Sequence, residues 1–302
     1  MQANASAANQ QCWGCTQPPP THASRASKEG RRAFDGLHYV LLSTDDHPAC
    51  HAAERTPSAT APRRDCTDLG LAHAASSGAR LLLGVISGPS NRARRDAIRH
   101  TWLAGGTSDA LVCFVLGIGG QDAAVVAAIE REAHAGGDLH VGRWHERKGR
   151  NLVPKVFGWF LAAARALQWV SARRAAPSVE WVGKTDDDGL ILLPHLVAEL
   201  ASHRCLGDHL FFGDVRERTS FDPRLPLSCR IAWGVRADAP IQVRRRLGCQ
   251  PAFPFAQGML YALSAPLVQR LIAARPGDYL AAQRTRNTGD AEDQAVGAPP
   301  LS

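Results

Sequence analysis

Val179-Glu180-Trp181-Val182-Gly183-Lys184-Thr185-Asp186-Asp187-Asp188 decides how this chain is read. Its apolar lead-in reads as a buried strand. The strand runs into three carboxylates at what would be its exposed end. Three like charges there repel one another, and a divalent metal ion is the simplest compensating charge. Side chains alternate along extended backbone, so Asp186 and Asp188 are expected on one side and Asp187 on the other. Two oxygen donors on one side suit Mg²⁺ or Mn²⁺, which keep positions open for water and substrate phosphates. A solvated acidic turn is the competing reading, because Asp is common in ordered turns. On the triplet alone the two readings stand level.

The surrounding pattern alternates strand and helix. Residues 81–87 read as a fully buried strand that ends in a Gly88-Pro89 turn, and residues 111–116 as another. Helices are expected at 91–102, at 121–135 with Val125, Ala128, Ile129 and Ala133 near helical spacing, and at 155–172 with Val156, Phe160, Ala163, Leu167 and Val170 on one face. A helix near 194–203 has Pro194 at its start. A short strand at 210–212 and a helix at 264–274 follow. This order argues an α/β sheet with helices on both faces. Ligands in such sheets sit at the carboxyl ends of the strands, where the Asp triplet falls.

With 302 residues, 45% of them apolar, the chain can bury a sizeable core. Residues 1–78 hold seven Lys/Arg and seven Asp/Glu, so the whole net charge of +7 belongs to residues 79–302. A basic globular part suits an anionic ligand such as a nucleotide. The longest basic run is Arg244-Arg245-Arg246, and no basic tract with interleaved aromatics argues for nucleic acid. Residues 1–78 are rich in Ala, Ser, Pro and Thr, offer only one short apolar run at 37–42, and read as a disordered stalk or linker. Residues 79–302 read as the folded domain. Cys12 and Cys15 lack a second pair at zinc-finger spacing, and Cys113 reads as a buried thiol. Cys205, Cys229 and Cys249 could pair in an oxidising compartment. No stretch reaches 18 apolar residues, so no membrane-spanning helix is visible.

Several side chains carry two readings each. Arg95 and Arg99 stand four apart on one helix face, where like charges cost a few tenths of a kcal/mol unless an anion is near. A phosphate, a buried carboxylate or plain solvation would each answer that. Lys155 could reach a phosphate or a buried acid, or run its stem along the surface with its ammonium in water. Glu292-Asp293 alone reads as an acidic pair at a helix N-terminus. Trp233 and Tyr261 could stack on a sugar, though core packing is the commoner fate of an aromatic. His195 reads as structural. A phosphoryl-transfer enzyme is disfavoured, because no Gly-rich Lys-Ser/Thr loop occurs.

Six motifs in order resemble the β1,3-galactosyltransferase family, glycosyltransferase family 31. They are Ile86-Ser87-Gly88-Pro89-Ser90-Asn91 with the stretch from Arg94 to Trp102; Phe114-Val115-Leu116-Gly117; Asn151-Leu152 with Lys155; Lys184-Thr185-Asp186-Asp187-Asp188; Phe253-Pro254-Phe255-Ala256-Gln257-Gly258 with Tyr261-Ala262-Leu263-Ser264; and Glu292-Asp293-Gln294-Ala295-Val296-Gly297. The resemblance covers roughly residues 80–297. It implies a GT-A type nucleotide-sugar-binding fold with a mixed, mainly parallel central sheet. It also implies a UDP-sugar donor, Mn²⁺ or Mg²⁺, inversion at the anomeric carbon, and a glycan or glycoprotein acceptor.

On that resemblance, Asp186 and Asp188 are the metal candidates. Asp186, Asp187, Lys155, Arg95 and Arg99 are candidates for holding the donor, with the two arginines the better suited to bracing the nucleotide subdomain. Asp293 is the candidate base, with Glu292 orienting the acceptor. Galactose transfer is the leading expectation. N-acetylglucosamine transfer and a non-catalytic nucleotide- or glycan-binding protein are the alternatives. The family's acidic-aromatic pair is replaced here by Trp144-His145-Glu146-Arg147-Lys148, and Met259 and Leu260 stand where many members carry small residues. The family implies a late metal-binding His after Asp293 and a Golgi type II membrane anchor before the domain. Neither is visible, so a domain truncated at its C-terminus and a missing N-terminal anchor are expected.

Overall fold

The computed structural model describes residues 38–41, 65–105, 108–145, 152–216 and 255–274. They build one seven-stranded sheet. In chain order the elements are β1 (His38–Leu41), α1 (Asp68–Ser76), β2 (Leu81–Ile86), α2 (Arg92–His100), β3 (Ala110–Gly119), α3 (Ala123–Gly136) and β4 (Leu139–His145). Then come α4 (Leu152–Ala172), β5 (Trp181–Asp186), α5 (Leu193–Ser202), β6 (Leu210–Arg216), β7 (Phe255–Ser264) and α6 (Ala265–Ala274). The strand order is β1-β6-β7-β5-β2-β3-β4. Only β7 runs antiparallel, to both β5 and β6. The mixed, mainly parallel sheet expected from the sequence is therefore present.

Strand alternation divides the core in two. From β2, Leu82 and Ile86 face one side with Leu111, Cys113 and Val115 of β3 and the apolar faces of α1, α4 and α6. Leu81, Leu83 and Val85 face the other side with Phe114, with Ile98 of α2, Ile129 of α3, and Leu196 and Leu200 of α5. Burial on both faces explains why these strands are continuous apolar runs rather than alternating ones. The caps follow local chemistry. The Asp122 side chain accepts from Val125 N at the start of α3, and Gly137 at φ 68° ends it in the left-handed region that favours glycine.

One packing contact spans the sheet's centre. Trp159 of α4 is fully buried, and its Nε1 donates to the Gly183 carbonyl at 2.9 Å. A Cβ at Gly84 would lie 2.8 Å from the indole. Gly84 in β2 thus lets α4 lie close against the strand pair β2–β5.

The structure corrects three expectations. Part of the stretch read as stalk is ordered: Leu71, Ala72, Ala74 and Ala75 of α1 pack in the core beside α4. β1 forms at the short apolar run and pairs parallel with β6. Cys113 is not a thiol but half of a disulfide with Cys66. Closing a loop of 47 residues this way is worth about 4 kcal/mol by chain entropy. Cys205 lies among the residues whose side chains are not described, and Cys12, Cys15, Cys229 and Cys249 lie outside the described residues.

Two outcomes follow for stability. Gly84→Ala should lower the unfolding free energy by about 1–3 kcal/mol in urea titration, since the indole has to give way. His140 of β4 is buried and its Nδ1 faces the Cys66 carbonyl at 3.1 Å. Burial holds its pKa below the usual 6.5, against the opposing pull of that carbonyl and of Asp68. The unfolded chain then takes up a proton at this site before the folded one does. The His140 contribution should be intact above pH 6.5 and decline as pH falls from there toward the folded value. In melts from pH 7 down to 5, His140→Gln should show a shallower decline than the parent.

Candidate functional site

β2 and β5 are parallel neighbours in register, with Ile86 opposite Asp186. Their carboxyl ends therefore open on the same edge of the sheet. Ser87 follows β2, a turn through Asn91 leads into α2, and Arg94 lies in the first turn of that helix. β5 ends at Asp186, so strand alternation does not govern the whole triplet, and Asp187 and Asp188 lie in a turn. That turn still sends the carboxylates different ways. The Asp187 side chain is 7% exposed, whereas those of Asp186 and Asp188 are 38% and 67% exposed.

Asp187 is the hub of this edge. Its Oδ2 accepts from Ser87 Oγ and from Asn91 Nδ2, each at 2.8 Å. Its Oδ1 accepts from Arg94 Nη1 at 2.8 Å. Burial works against the ionised form, but hydrogen bonds from Arg94, Asn91 and Ser87 outweigh it and hold the carboxyl below the usual carboxylate range. The same pair holds the Arg94 guanidinium charged. Arg94 Nη1 also lies 3.5 Å from Asp188 Oδ2. Its side chain is half exposed, and among the described residues only Nη1 is engaged. A guanidinium with free donors thus stands beside the exposed carboxylate.

Two buried lysines brace the edge. Lys155 of α4 is 2% exposed and donates to the Ser87 carbonyl at 3.0 Å. It neither reaches along the surface nor points into solvent, and it fixes the strand end that carries Ser87. Lys184 of β5 is fully buried, pairs with Asp186 Oδ1 at 2.8 Å, and donates to the Gly258 carbonyl. Residues two apart in a strand share a face, which is why Lys184 and Asp186 meet.

Arg95, Arg99 and Asp187 are engaged by partners within the chain. Arg95 is fully buried and forks onto Glu132 of α3 at 2.8 and 2.6 Å, with its Nη1 on Ser87 Oγ and the Gly88 carbonyl. Arg99 forks onto Asp138 at 2.8 Å through both Nε and Nη2, and also meets Glu132 and Asp96. Its guanidinium lies 4.8 Å from the Phe114 ring centroid. The anion that the paired arginines called for is a set of buried carboxylates, not a phosphate. Bidentate pairs of this kind order a planar guanidinium, so they set where α2 and α3 sit. Asp187 likewise spends both oxygens on internal donors.

Tyr261 is fully buried, stacked on Phe160 and edge-on to Phe211, so it serves the core. His195 is exposed on α5. Glu292, Asp293 and Trp233 lie outside the described residues. Ser87, Asn91, Arg94 and Lys184 stand inside the quoted motifs, but the sequence reading gives them no role of their own. A usable signal existed: Asn91 and Arg94 are three apart at the start of a helix, and so share the face turned to the strand ends.

The hub makes a stability prediction. Asp187→Asn should cost about 2 kcal/mol in urea unfolding at neutral pH, the scale of a lost charged hydrogen bond. In the parent protein the Asp187 contribution is full above the unfolded carboxylate value of 3.8. It should be lost as pH falls further through the lower folded value, where the parent and variant curves converge.

A sequence model described as Galactosyltransferase matches residues 93–298. The chain is 30% identical over 258 residues to the mouse protein named Beta-1,3-galactosyltransferase 6, covering 84% of this chain and 67% of that one. The mixed, mainly parallel α/β sheet with helices is of the GT-A type. The chain belongs to the galactosyltransferase family of glycosyltransferases.

Proposed function

We propose that this glycosyltransferase moves galactose from UDP-galactose to a glycan or glycoprotein hydroxyl, in β1,3 linkage and with inversion at the anomeric carbon. The observation that carries the reading is that Asp188, beside half-exposed Arg94, and Asp186, paired with buried Lys184, are the more exposed carboxylates at the carboxyl edge of β2 and β5. The name of the mouse relative supports galactose and the β1,3 linkage. The disulfide supports an oxidising compartment, and so a Golgi residence. Among the described residues no helix is long and apolar enough to cross a membrane.

A divalent cation fits the donor set as a shared ligand. Among the described residues no group of three or more His, Cys, Asp or Glu side chains could hold one alone. Mg²⁺ and ions like it are commonly held by one or two carboxylates, with the remaining positions going to substrate phosphates and water. Asp188 would be the direct protein ligand, and Asp186, steadied by Lys184, the second or a partner for the ribose. When bound, the cation offsets the charge that develops on the diphosphate as UDP departs. Arg94 offers its remaining donors to the same diphosphate. Asp187, itself held by Asn91 and Ser87, keeps its guanidinium aimed at that edge.

In the transfer step the acceptor oxygen bonds to the anomeric carbon, and the bond to UDP breaks with its electron pair on the diphosphate. Asp293 takes the hydroxyl proton and Glu292 orients the acceptor. Both assignments rest on the motif around them.

UDP release with Mn²⁺ over a panel of UDP-sugars tests the reading, with UDP-galactose expected to turn over fastest. Fastest turnover of UDP-N-acetylglucosamine would move the chain to the sister activity, and UDP binding without any turnover would make it a binding protein. Asp188→Asn should abolish metal-dependent donor binding, read by calorimetry. Arg94→Ala should weaken donor binding about tenfold or more, the scale of a charged hydrogen bond, while the protein stays folded. Asp293→Asn should leave donor binding intact and stop transfer, and normal transfer by that variant removes Asp293 as the base.

A further inference from the structure

β7 is irregular where it passes the site. Against β6 its register runs from Tyr261 opposite Gly213 to Ala256 opposite Val215. Residues 257–260 of β7 therefore stand where β6 has Asp214 alone. Extra residues on one strand make a bulge, a device that re-aims a side chain and recurs beside functional sites. Against β5 the pairing stays regular as far as Leu260, opposite Thr185. Beyond that point two β5 side chains hold the bulged backbone. Thr185 Oγ1 donates to the Met259 carbonyl at 2.9 Å, and Lys184 Nζ donates to the Gly258 carbonyl. The bulge is thus clamped by the two residues that lead into the Asp triplet.

Met259 is the side chain that the clamp presents. Leu260 packs against the cluster that holds α5, and Tyr261 lies in the cluster that holds α4. Met259 is buried in neither and stands 74% exposed. One further step of the β5 register would bring it level with Asp186, the carboxylate that Lys184 pairs with. It is not alone there. Of the five large apolar side chains exposed among the described residues, three belong to this edge: Met259, Leu190 and Leu192. The two leucines follow the triplet and alternate with buried Ile191 and Leu193. An apolar lining with a few convergent polar groups is the usual make-up of a ligand pocket.

We propose that Met259 is a specificity-determining contact for the acceptor, its thioether lying against the C–H face of the acceptor sugar. This contact presupposes the transferase reading above and names a subsite within it. Sheet order separates the two substrates. The strands run β7-β5-β2, so β7 and β2 flank the triplet from opposite sides. Arg94 reaches Asp187 and Asp188 from the β2 side, through α2, and that side suits the diphosphate. Met259 comes from the other side. A diphosphate gains nothing from a thioether, whereas a pyranose carries a C–H face that is better covered than left in water. The unbranched, polarizable methionine side chain adapts to such an irregular surface.

The chain has two methionines, Met1 and Met259, so methyl-13C-methionine labelling of the full chain gives a direct readout. Met259→Leu assigns the two signals. The Met259 methyl should shift when a glycoside that the chain galactosylates is added, chosen from the methyl β-glycosides of galactose, N-acetylgalactosamine and N-acetylglucosamine. UDP with Mg²⁺ should leave it in place. In steady-state kinetics Met259→Ala and Met259→Gln should raise the acceptor KM about five- to tenfold, with the donor KM and the thermal midpoint at the parent's values. Met259→Leu should recover most of what the alanine loses, because it conserves volume and apolarity. The proposal fails if a glycoside is galactosylated while the Met259 signal stays still. It also fails if the alanine variant moves the donor KM and not the acceptor KM. If no UDP-sugar is turned over, the transferase reading falls, and the titration still decides the subsite: a shift of Met259 with one of the glycosides sustains it, and no shift with any of them removes it.

Discussion

A carboxylate buried at a strand end has to be matched by donors, and that constraint organises the site edge. Asp187 collects Ser87 from the end of β2, Asn91 from the turn and Arg94 from α2. Those three donors come from consecutive pieces of chain, so satisfying one charge fixes how β2, its turn and α2 meet β5. Ser87 is itself gripped from behind, through its hydroxyl by Arg95 and its carbonyl by Lys155. Arg95 in turn is tied to Glu132 of α3. The chain of contacts therefore runs from one helical layer through the strand ends to the other. Groups this buried lose more by being left unpaired than they gain by pairing, which makes the arrangement stiff.

The fold was legible where burial on both faces writes continuous apolar runs. Residues 81–87, 111–116 and 179–183 were each read as strands, and β2, β3 and β5 lie there. The amphipathic pattern of α4 was equally plain. β4 was not read, because Leu139–His145 is an edge strand whose residues beyond the first few are only partly buried. α1 was missed for a different reason. It is built from Ala, Gly and Leu in a neighbourhood of Pro, Ser and charge, and its core face is made of small side chains that carry little hydrophobic signal. The partner of Cys113 could not be read either, since a disulfide depends on tertiary approach rather than on spacing.

The site was legible as a location more than as a cast of residues. The Asp triplet pointed to the right edge because carboxyl ends of parallel strands gather ligands. Charge counting along α2 then singled out Arg95 and Arg99, whose spacing is conspicuous, and overlooked Arg94, whose neighbours in space come from another strand. The conspicuous pair turned out to be conspicuous because it answers Glu132 and Asp138, acids about forty residues away in sequence. Polar residues that serve packing and polar residues that face a substrate look alike in one dimension. Burial separates them: Arg95 is 1% exposed at its side chain and Arg94 52%.

The Cys66–Cys113 bond also has a mechanical side. Cys66 stands just before α1, and Cys113 lies in β3, a strand hydrogen-bonded on both sides by β2 and β4. Once the four-residue β1 has parted from β6, tension drawn through the preceding residues reaches a covalent fork at Cys66 and divides between α1 and β3. A nine-residue helix would otherwise peel first. With the bond in place the load is carried into the interior of the sheet, where many hydrogen bonds must shear together. The segment from Cys66 onward is thus gripped through the interior of the sheet as well as through α1.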